Sequence, residues 1–347
     1  MLERLREGQN EALLEVDGYQ LLLKHLDSVY WPGGEGRNPV TKRDYLRYLI
    51  SISPLLINHM MNRPVTLIRF PHGANAAWSF QRYWEGPAPP FVETVTVYSE
   101  RDGLNKCCLM CNNLATLLWL GDVANLEMRP WFSRIVNEPD AVKLSTEFTG
   151  STRQLDRSVL NYPDFMVFDL DPYFYSLSES NEMEAERIAF RKCCEVAFWL
   201  KEILESLSLP PYVKTSGRSG LHIFVPILRN MDYTHVRSAA AAIAWLLLEE
   251  HPQDVTTEWS VARRTGKLLL DYHQNQQGKT FLSAYSPAAD QWGLVSMPVR
   301  WEELDSLNPG GFTMEAALER VHSVGGDLWG SILDEKVDMS HMYMPPI

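Results

Sequence analysis

The sequence predicts an α+β fold, mostly antiparallel sheets flanked by helices, and three observations carry that expectation. Short apolar runs closed by proline, such as residues 64–71 and 165–172, have the length and composition of strands. Residues 182–207 instead repeat apolar side chains at helical spacing, with Ala189, Cys193, Val196, Leu200, Ile203 and Leu207 on one stripe. In the second half the two kinds alternate as strand, helix, hairpin, helix, hairpin, which puts helices on one face of a sheet.

Residues 1–20 read as a charged leader helix, an N-terminal extension. Thr41 and Asp44 form a capping-box opening to a helix that carries Tyr45, Leu46, Tyr48 and Leu49. Strands follow at 64–71 and 92–98 and a helix at 114–120, with loops at the Pro/Gly clusters 31–36 and 86–90. Residues 165–171 read as a buried strand stopped by Pro172, and Pro210 with Pro211 stops the long helix after it. Strands at 212–216 and 221–225 flank a glycine turn, and an Ala-rich helix covers 234–250. Residues 267–272 and 280–285 read as a hairpin around 275–279, and from Thr313 the chain reads as a helical tail. The expected division is therefore 1–20, an N-terminal part 21–156, a catalytic part 157–312 and a tail 313–347.

The chain has 32 basic and 44 acidic residues, a net charge of −12, which argues against a passive nucleic-acid coat. An enzyme acting on nucleic acid is still allowed, because only the local field at its site matters. No stretch reaches the roughly 18 apolar residues of a membrane span. Residues 1–16 are broken by Glu, Arg and Asn where a signal peptide needs an apolar run, so a cytoplasmic protein is expected. Cys107, Cys108, Cys111, Cys193 and Cys194 are odd in number and clustered, which fits reduced, buried thiols rather than a disulfide framework. A strand through Cys108 and Cys111 sends them to opposite faces, against a zinc site.

Asp169 and Asp171 are two apart on the expected strand, so both carboxylates share a face while Phe168 and Leu170 turn into a core. Carboxylates held side by side repel, and a divalent cation relieves them. Asp271 sits in a similar strand setting, and three such acids can hold two metals about 3.5–4 Å apart for phosphoryl transfer. Asp-x-Asp alone also marks solvated strand ends, sugar-nucleotide transferases and aspartyl phosphatases. The turn from Thr215 to His222, with Gly217 and Gly220 around Arg218 and Ser219, lets backbone N–H groups converge on an anion. His222 opens the next strand and can offer an imidazole N–H to a phosphate.

Phe-Asp-Leu-Asp-Pro at 168–172, Thr-Ser-Gly-x-x-Gly-Leu-His at 215–222 and Leu-Asp-Tyr-x-Gln-Asn at 270–275 occur in this order. They resemble the polymerase domain of bacterial ligase D, in the archaeo-eukaryotic primase–polymerase superfamily. Residues 63–66, 69–71, 80–82, 114–119, 284–286, 295–298 and 301–304 extend the likeness over about residues 21–310. The resemblance implies a primase–polymerase-like catalytic core. Such a core adds nucleotides, preferentially ribonucleotides, to DNA 3′ ends or gaps during double-strand break repair by non-homologous end joining. It implies two Mn2+ or Mg2+ ions, a nucleoside triphosphate substrate, Ku and an ATP-dependent DNA ligase as partners, and a place on the nucleoid.

By the same resemblance Asp169, Asp171 and Asp271 are the metal triad. Ser216, Gly217, Arg218, Ser219 and His222 hold the nucleotide, with Arg264, Gln274 and Lys279 near its phosphates and sugar. Phe80 stacks at the templating base, Lys42 grips a downstream 5′-phosphate, and Lys24, Arg43, Arg69 and Arg82 complete the DNA-binding patch. The chain departs from the family at Ser28 and Ser219, where lysines are usual, and at Arg129, where a histidine is usual. Ala288 and Asp290 stand where arginines reach the triphosphate. A thinned clamp and weak nucleotide affinity follow, which Ala288→Arg with Asp290→Arg is expected to reverse. The alternatives are a non-catalytic DNA-end-bridging module, or a metal-dependent phosphatase or sugar-nucleotide transferase. A chain of 347 residues is expected to hold the polymerase without a ligase or nuclease domain.

Overall fold

Asp17 and Gly18 both take positive φ, 52° and 81°, the backbone that a two-residue hairpin turn requires. In the computed structural model, which describes residues 1–34, 36–173 and 182–342, they join β1 (Glu11–Val16) to β2 (Tyr19–Lys24) as an antiparallel pair. The expected leader helix is thus a hairpin, preceded by one 3-10 turn at Leu2–Arg4. Alternation explains it: Ala12, Leu14, Val16, Leu21 and Leu23 are buried and the residues between them are not. A short pair, β3 (Val29–Trp31) and β4 (Val40–Thr41), leads into α1 (Lys42–Met60), which opens on the expected Thr41–Asp44 capping box.

The first large sheet runs β6-β5-β8-β7, with β9 also paired to β5. Its strands are β5 (Pro64–Arg69), β6 (Ser79–Gln81), β7 (Thr94–Ser99), β8 (Leu104–Met110) and β9 (Arg129–Pro130). Between β8 and β9 lies α2 (Leu114–Asp122), and α3 (Thr152–Asp156) follows. As alternation requires, Cys108 is buried beside Val95, Val97 and Trp131, whereas Cys111 is buried in the core of α1 and α2. All five cysteines are free.

The second sheet has six strands in the order β13-β14-β10-β12-β11-β15, antiparallel except where β13 meets β14. They are β10 (Phe165–Asp171), β11 (Tyr212–Thr215), β12 (Leu221–Pro226), β13 (Val255–Thr256), β14 (Leu268–Asp271) and β15 (Pro298–Val299). α4 (Glu182–Ser206) and α5 (Tyr233–Glu250) cover one face. There Phe168 and Leu170 pack with Leu221, Ile223, Cys193, Leu200, Val236 and Ile243, all essentially inaccessible to water. Such burial contributes about 1.5–3 kcal/mol per large side chain.

The second hairpin does not form. Residues 280–285 pair across the molecule instead, Thr280 with Trp131 and Ser283 N–H with the Met128 carbonyl, and so stitch the second half of the chain to the first. Among the described residues the tail holds one α-helix, α6 (Met314–Val324), which Gly325 ends in the left-handed conformation at φ 81°, and a 3-10 turn at Ser340–Met342. Beyond α6 Val337 bridges to Ile227 and Met339 enters the core, so the tail straps the C-terminal end of β12; residues 343–347 lie outside the described residues. Lys336 also reaches a buried ion network, in which Asp164 meets Arg63 at 2.7 Å, Arg134 at 3.0 Å and Arg229 at 3.5 Å. Burial alone would raise the Asp164 carboxyl; Arg63, Lys336 and Arg134 outweigh it and hold it far below the usual range.

Candidate active site

Cross-strand register builds the site. Asp271 on β14 stands opposite Asp169 on β10, Asp169 opposite His222 on β12, and His222 opposite Lys214 on β11. Residues directly opposite on neighbouring strands share a face, so two acids, an imidazole and a lysine form one polar row. It lies on the face away from α4 and α5. Asp171 is two residues further along β10 on the same face.

Burial, then Asp271 and Asp171, push the Asp169 carboxyl up to about 7 against the pull of Lys214 and Arg129. The other two acids are held by cationic or amide donors. Arg264 donates to Asp171 Oδ2 at 2.8 Å, and Gln274 Nε2 donates to Asp271 Oδ2 at 2.7 Å. The backbone N–H of His273 takes the second Asp271 oxygen at 2.8 Å. Arg264 and Gln274, expected at a nucleotide, therefore rest on the acids themselves. Among the described residues no three His, Cys, Asp or Glu side chains are close enough to hold an ion as they stand. The carboxylate donor set suits a hard divalent cation, whose charge would offset the burial and the repulsion that raise the Asp169 carboxyl; Asp171 would have to let go of Arg264 to join it.

His222 is fixed from three sides. Lys214 Nζ lies 2.8 Å from its Nδ1, Phe281 stacks on its ring at 4.1 Å, and Asp169 Oδ1 lies 3.5 Å from its Nε2. Lys214 also donates to Ser296 Oγ, whose hydroxyl donates to the Thr215 carbonyl. That chain makes Nδ1 an acceptor and assigns the ring proton to Nε2, on the side of the acids. Burial, with Lys214, Arg129 and Arg218 nearby, keeps the imidazole neutral.

The glycine turn is more self-contained than its composition suggests. Ser216 Oγ accepts from the N–H groups of Arg218 and Gly220, both at 3.1 Å, so two of the expected anion donors are already used. The serine O–H is what remains to be offered. Gly220 is required by close approach: a Cβ there would sit 2.3 Å from the Leu170 carbonyl oxygen. Gly217 has φ +81° and abuts Ala288. Ser219 is half-buried, and Arg218 and Lys279 are exposed.

The loop behind this turn overturns one expectation. Ala288 is fully buried, and Asp290 Oδ1 is spent on the backbone N–H groups of Trp292, Gly293 and Leu294. Ala288 is a packing position with no room for an arginine, and Asp290 is a turn-forming one. Nearby, Glu127, 1% exposed, holds Arg129 Nε at 3.0 Å and Arg218 Nη2 at 2.9 Å.

On the N-terminal side, Phe80 is 56% exposed on the edge strand β6, and Trp78, just before that strand, is 61% exposed. Lys24 is exposed, while Arg69 and Arg82 are half-buried, with Arg69 Nε on the Val123 carbonyl. Lys42 and Arg43 are not presented to solvent. Lys42 is buried against Asp122 at 2.7 Å, and Arg43 against Asp27 and two backbone carbonyls. Sequence reasoning missed Lys214, Glu127, Ser296 and Trp78. A lysine alternating with Ser216 on an apolar strand was a usable signal for Lys214; a single buried acid such as Glu127 gives none.

Residues 41–329 match the family model of the LigD primase-polymerase domain. The chain is 30% identical to the bifunctional non-homologous end joining protein LigD of Bacillus subtilis over 83% of its own length and 41% of that protein's. It is 26% identical to the multifunctional LigD of Mycobacterium bovis, over 89% of its length and 36% of the relative's. It thus spans about two fifths or less of these relatives. Among solved structures, the polymerase domain of Mycobacterium tuberculosis ligase D in complex with DNA superposes with a TM-score of 0.73. That match has 25% identity and covers 91% of this chain and 99% of that one. With the mixed, mostly antiparallel architecture in common and the family model matched over most of its length, the chain belongs to the LigD primase-polymerase domain family.

Proposed function

We propose that this chain is a nucleotidyltransferase that extends DNA 3′ ends or fills gaps in end-joining repair, with ribonucleotides preferred. The observation that carries the reading is the row Asp271, Asp169, His222, Lys214, four polar side chains that the register sets on one face of the sheet. On this reading residues 21–156 face the DNA and 157–312 hold the chemistry. Its relatives are named as end-joining proteins, and one solved relative holds DNA. Ku and an ATP-dependent ligase are the partners this implies, with the nucleoid as the place of action. Among the described residues no helix is long and apolar enough to cross a membrane.

Asp169, Asp171 and Asp271 would hold Mn2+ or Mg2+, which when bound activates a 3′-hydroxyl and neutralises charge on the phosphates. The chain's own groups do the rest. His222 directs Nε2–H, and Ser216 its O–H, to the region beside the acids, where a phosphate oxygen can accept both. Arg264, once off Asp171, adds a guanidinium whose Nε is buried without a partner among the described residues. Phe80 stacks a base of the template, with Trp78 beside it. Lys24, Arg69 and Arg82 remain for the phosphodiester backbone; Lys42 meets a 5′-phosphate only by exchanging Asp122 for it.

Primer extension on gapped DNA with manganese, offering ribo- and deoxyribonucleotides in parallel, tests the reading. Templated addition with the ribonucleotide favoured is expected. Binding of DNA ends with no addition of either nucleotide would replace it with an end-bridging module.

A further inference from the structure

We propose that Glu127 braces Arg129 and Arg218 as a two-armed clamp for the outer phosphates of the incoming nucleotide. Arg129 is the arm this chain uses in place of arginines in the 288–290 loop. The inference rests on the site being a nucleotide site, and it names the residues that grip the triphosphate.

Glu127 is built to hold something. Both carboxylate oxygens are occupied, Oε2 by Arg129 Nε at 3.0 Å, Oε1 by Arg218 Nη2 at 2.9 Å and the Ala289 N–H at 3.0 Å. Buried Asn125 fixes the Glu127 carbonyl at 3.0 Å, and Ser286 Oγ takes the Met128 N–H at 2.9 Å, so the backbone cannot drift. One carboxylate thus serves two guanidinium groups, one positive charge more than Glu127 itself neutralises. Among the described residues Arg129 spends only Nε on a hydrogen bond, and its two Nη groups are left to offer. Arg218 keeps 57% of its side chain exposed.

The clamp also lies where a phosphate chain would run. Arg129 acts electrostatically on Asp169, Lys214 and His222, and Arg218 acts on His222. Arg218 belongs to the turn whose Ser216 hydroxyl is still free to donate, so both arms border the donors already assigned to the nucleotide. A planar guanidinium held by Nε presents its two Nη groups as a fork, the geometry that suits two phosphate oxygens. Glu127 touches no phosphate. It is a positioning residue, and its effect reaches the ligand only through the two arginines.

The test is equilibrium binding of a non-hydrolysable nucleoside triphosphate, and of the matching monophosphate, to the full chain with manganese present. Wild type, Arg129→Met, Arg129→Lys, Arg218→Met and Glu127→Gln are compared, with thermal unfolding recorded for each. Arg129→Met is expected to weaken the triphosphate about 10- to 100-fold. It should leave the monophosphate within about twofold, and KM should rise with kcat nearly unchanged. Arg129→Lys should recover part of the loss. Glu127→Gln should weaken the triphosphate less than Arg129→Met, because both arms persist but wander. Wild-type affinity in a folded Arg129→Met protein overturns the clamp, as does an equal loss for mono- and triphosphate. If Arg129→Met does not fold, Arg129→Lys and Arg218→Met decide by the same ratio. A wild-type chain that binds no triphosphate brings down the nucleotide reading itself, an outcome seen before any variant is compared.

Discussion

Asp169 and Asp271 stand opposite each other on neighbouring strands, on the face of the sheet away from α4 and α5. Lys42 and Arg43, expected to line a DNA-binding patch, are instead folded into ion pairs with Asp122 and Asp27. The difference is one of side-chain reach. On a strand the pleat decides the face and a short aspartate has little freedom to leave it, so spacing in the sequence is spacing in the site. A lysine or arginine at a helix start carries its charge several ångströms from its Cα and goes to the nearest carboxylate or carbonyl. Short acids on strands can be placed from sequence; long cations cannot until their partners are known.

The largest effect should come from the acids. On the proposed function Asp169→Ala or Asp271→Ala would remove a metal ligand and several kcal/mol of charge stabilisation, so nucleotide addition should fall by roughly 10³-fold or more. The fold should persist; extension near the wild-type rate by the folded Asp169→Ala protein would break the comparison on its strong side.

The buried ion network is next. Asp164→Asn leaves Arg63, Arg134, Arg229 and Lys336 short of their shared anion and should destabilise the chain by about 3–5 kcal/mol in urea unfolding. The sign with pH follows. The folded carboxyl titrates far below its unfolded value, near 3.9. The stability it contributes is therefore complete above that value and is lost as the pH falls through the folded one. Wild type should weaken on acidification through this range more steeply than Asp164→Asn; parallel acid curves would remove Asp164 from the account.

Ala288→Arg sharpens the comparison from the nucleotide side. The side chain has no space, since Ala288 is fully buried against Gly217. The variant should lose about 1–3 kcal/mol of stability by overpacking, with no gain in nucleotide affinity. Tighter binding would restore the arginine-lacking loop as a phosphate site.

The smallest effect separates the two roles open to Lys42. If the pair with Asp122 is structural, Lys42→Ala should lower stability by about 1–2 kcal/mol, because Asp122 keeps part of its hydration. It should also change affinity for gapped DNA equally with and without a 5′-phosphate. A loss confined to the phosphorylated gap would return Lys42 to the DNA.

These outcomes bear on what the sequence could say. The catalytic sheet was legible because β10 and β12 are apolar strands interrupted by Asp169, Asp171 and His222 at a period of two. The Asp17–Gly18 hairpin carried an equally good signal in its turn residues, outweighed in the reading by the charges around it. Residues 280–285 have a strand's composition, but their partners are at 128–131, about 150 positions away, and no local pattern reports such pairing. Ala288 and Asp290 look like lost arginines until burial shows that one packs and the other closes a turn.

The most direct test of the central claim, that the face shared by Asp169, Asp171 and Asp271 is a divalent-metal site for nucleotide transfer, is a manganese titration. It compares wild type and Asp271→Asn between pH 6 and 8. In the metal-free protein the Asp169 carboxyl is raised to about 7, and a metal must displace its proton. Manganese affinity of the wild type should therefore rise with pH across this range, with proton release on binding that fades toward pH 8. Asp271→Asn should bind at least about tenfold more weakly throughout. Binding that is flat with pH and unchanged in Asp271→Asn, or no binding by the wild type, would contradict the account.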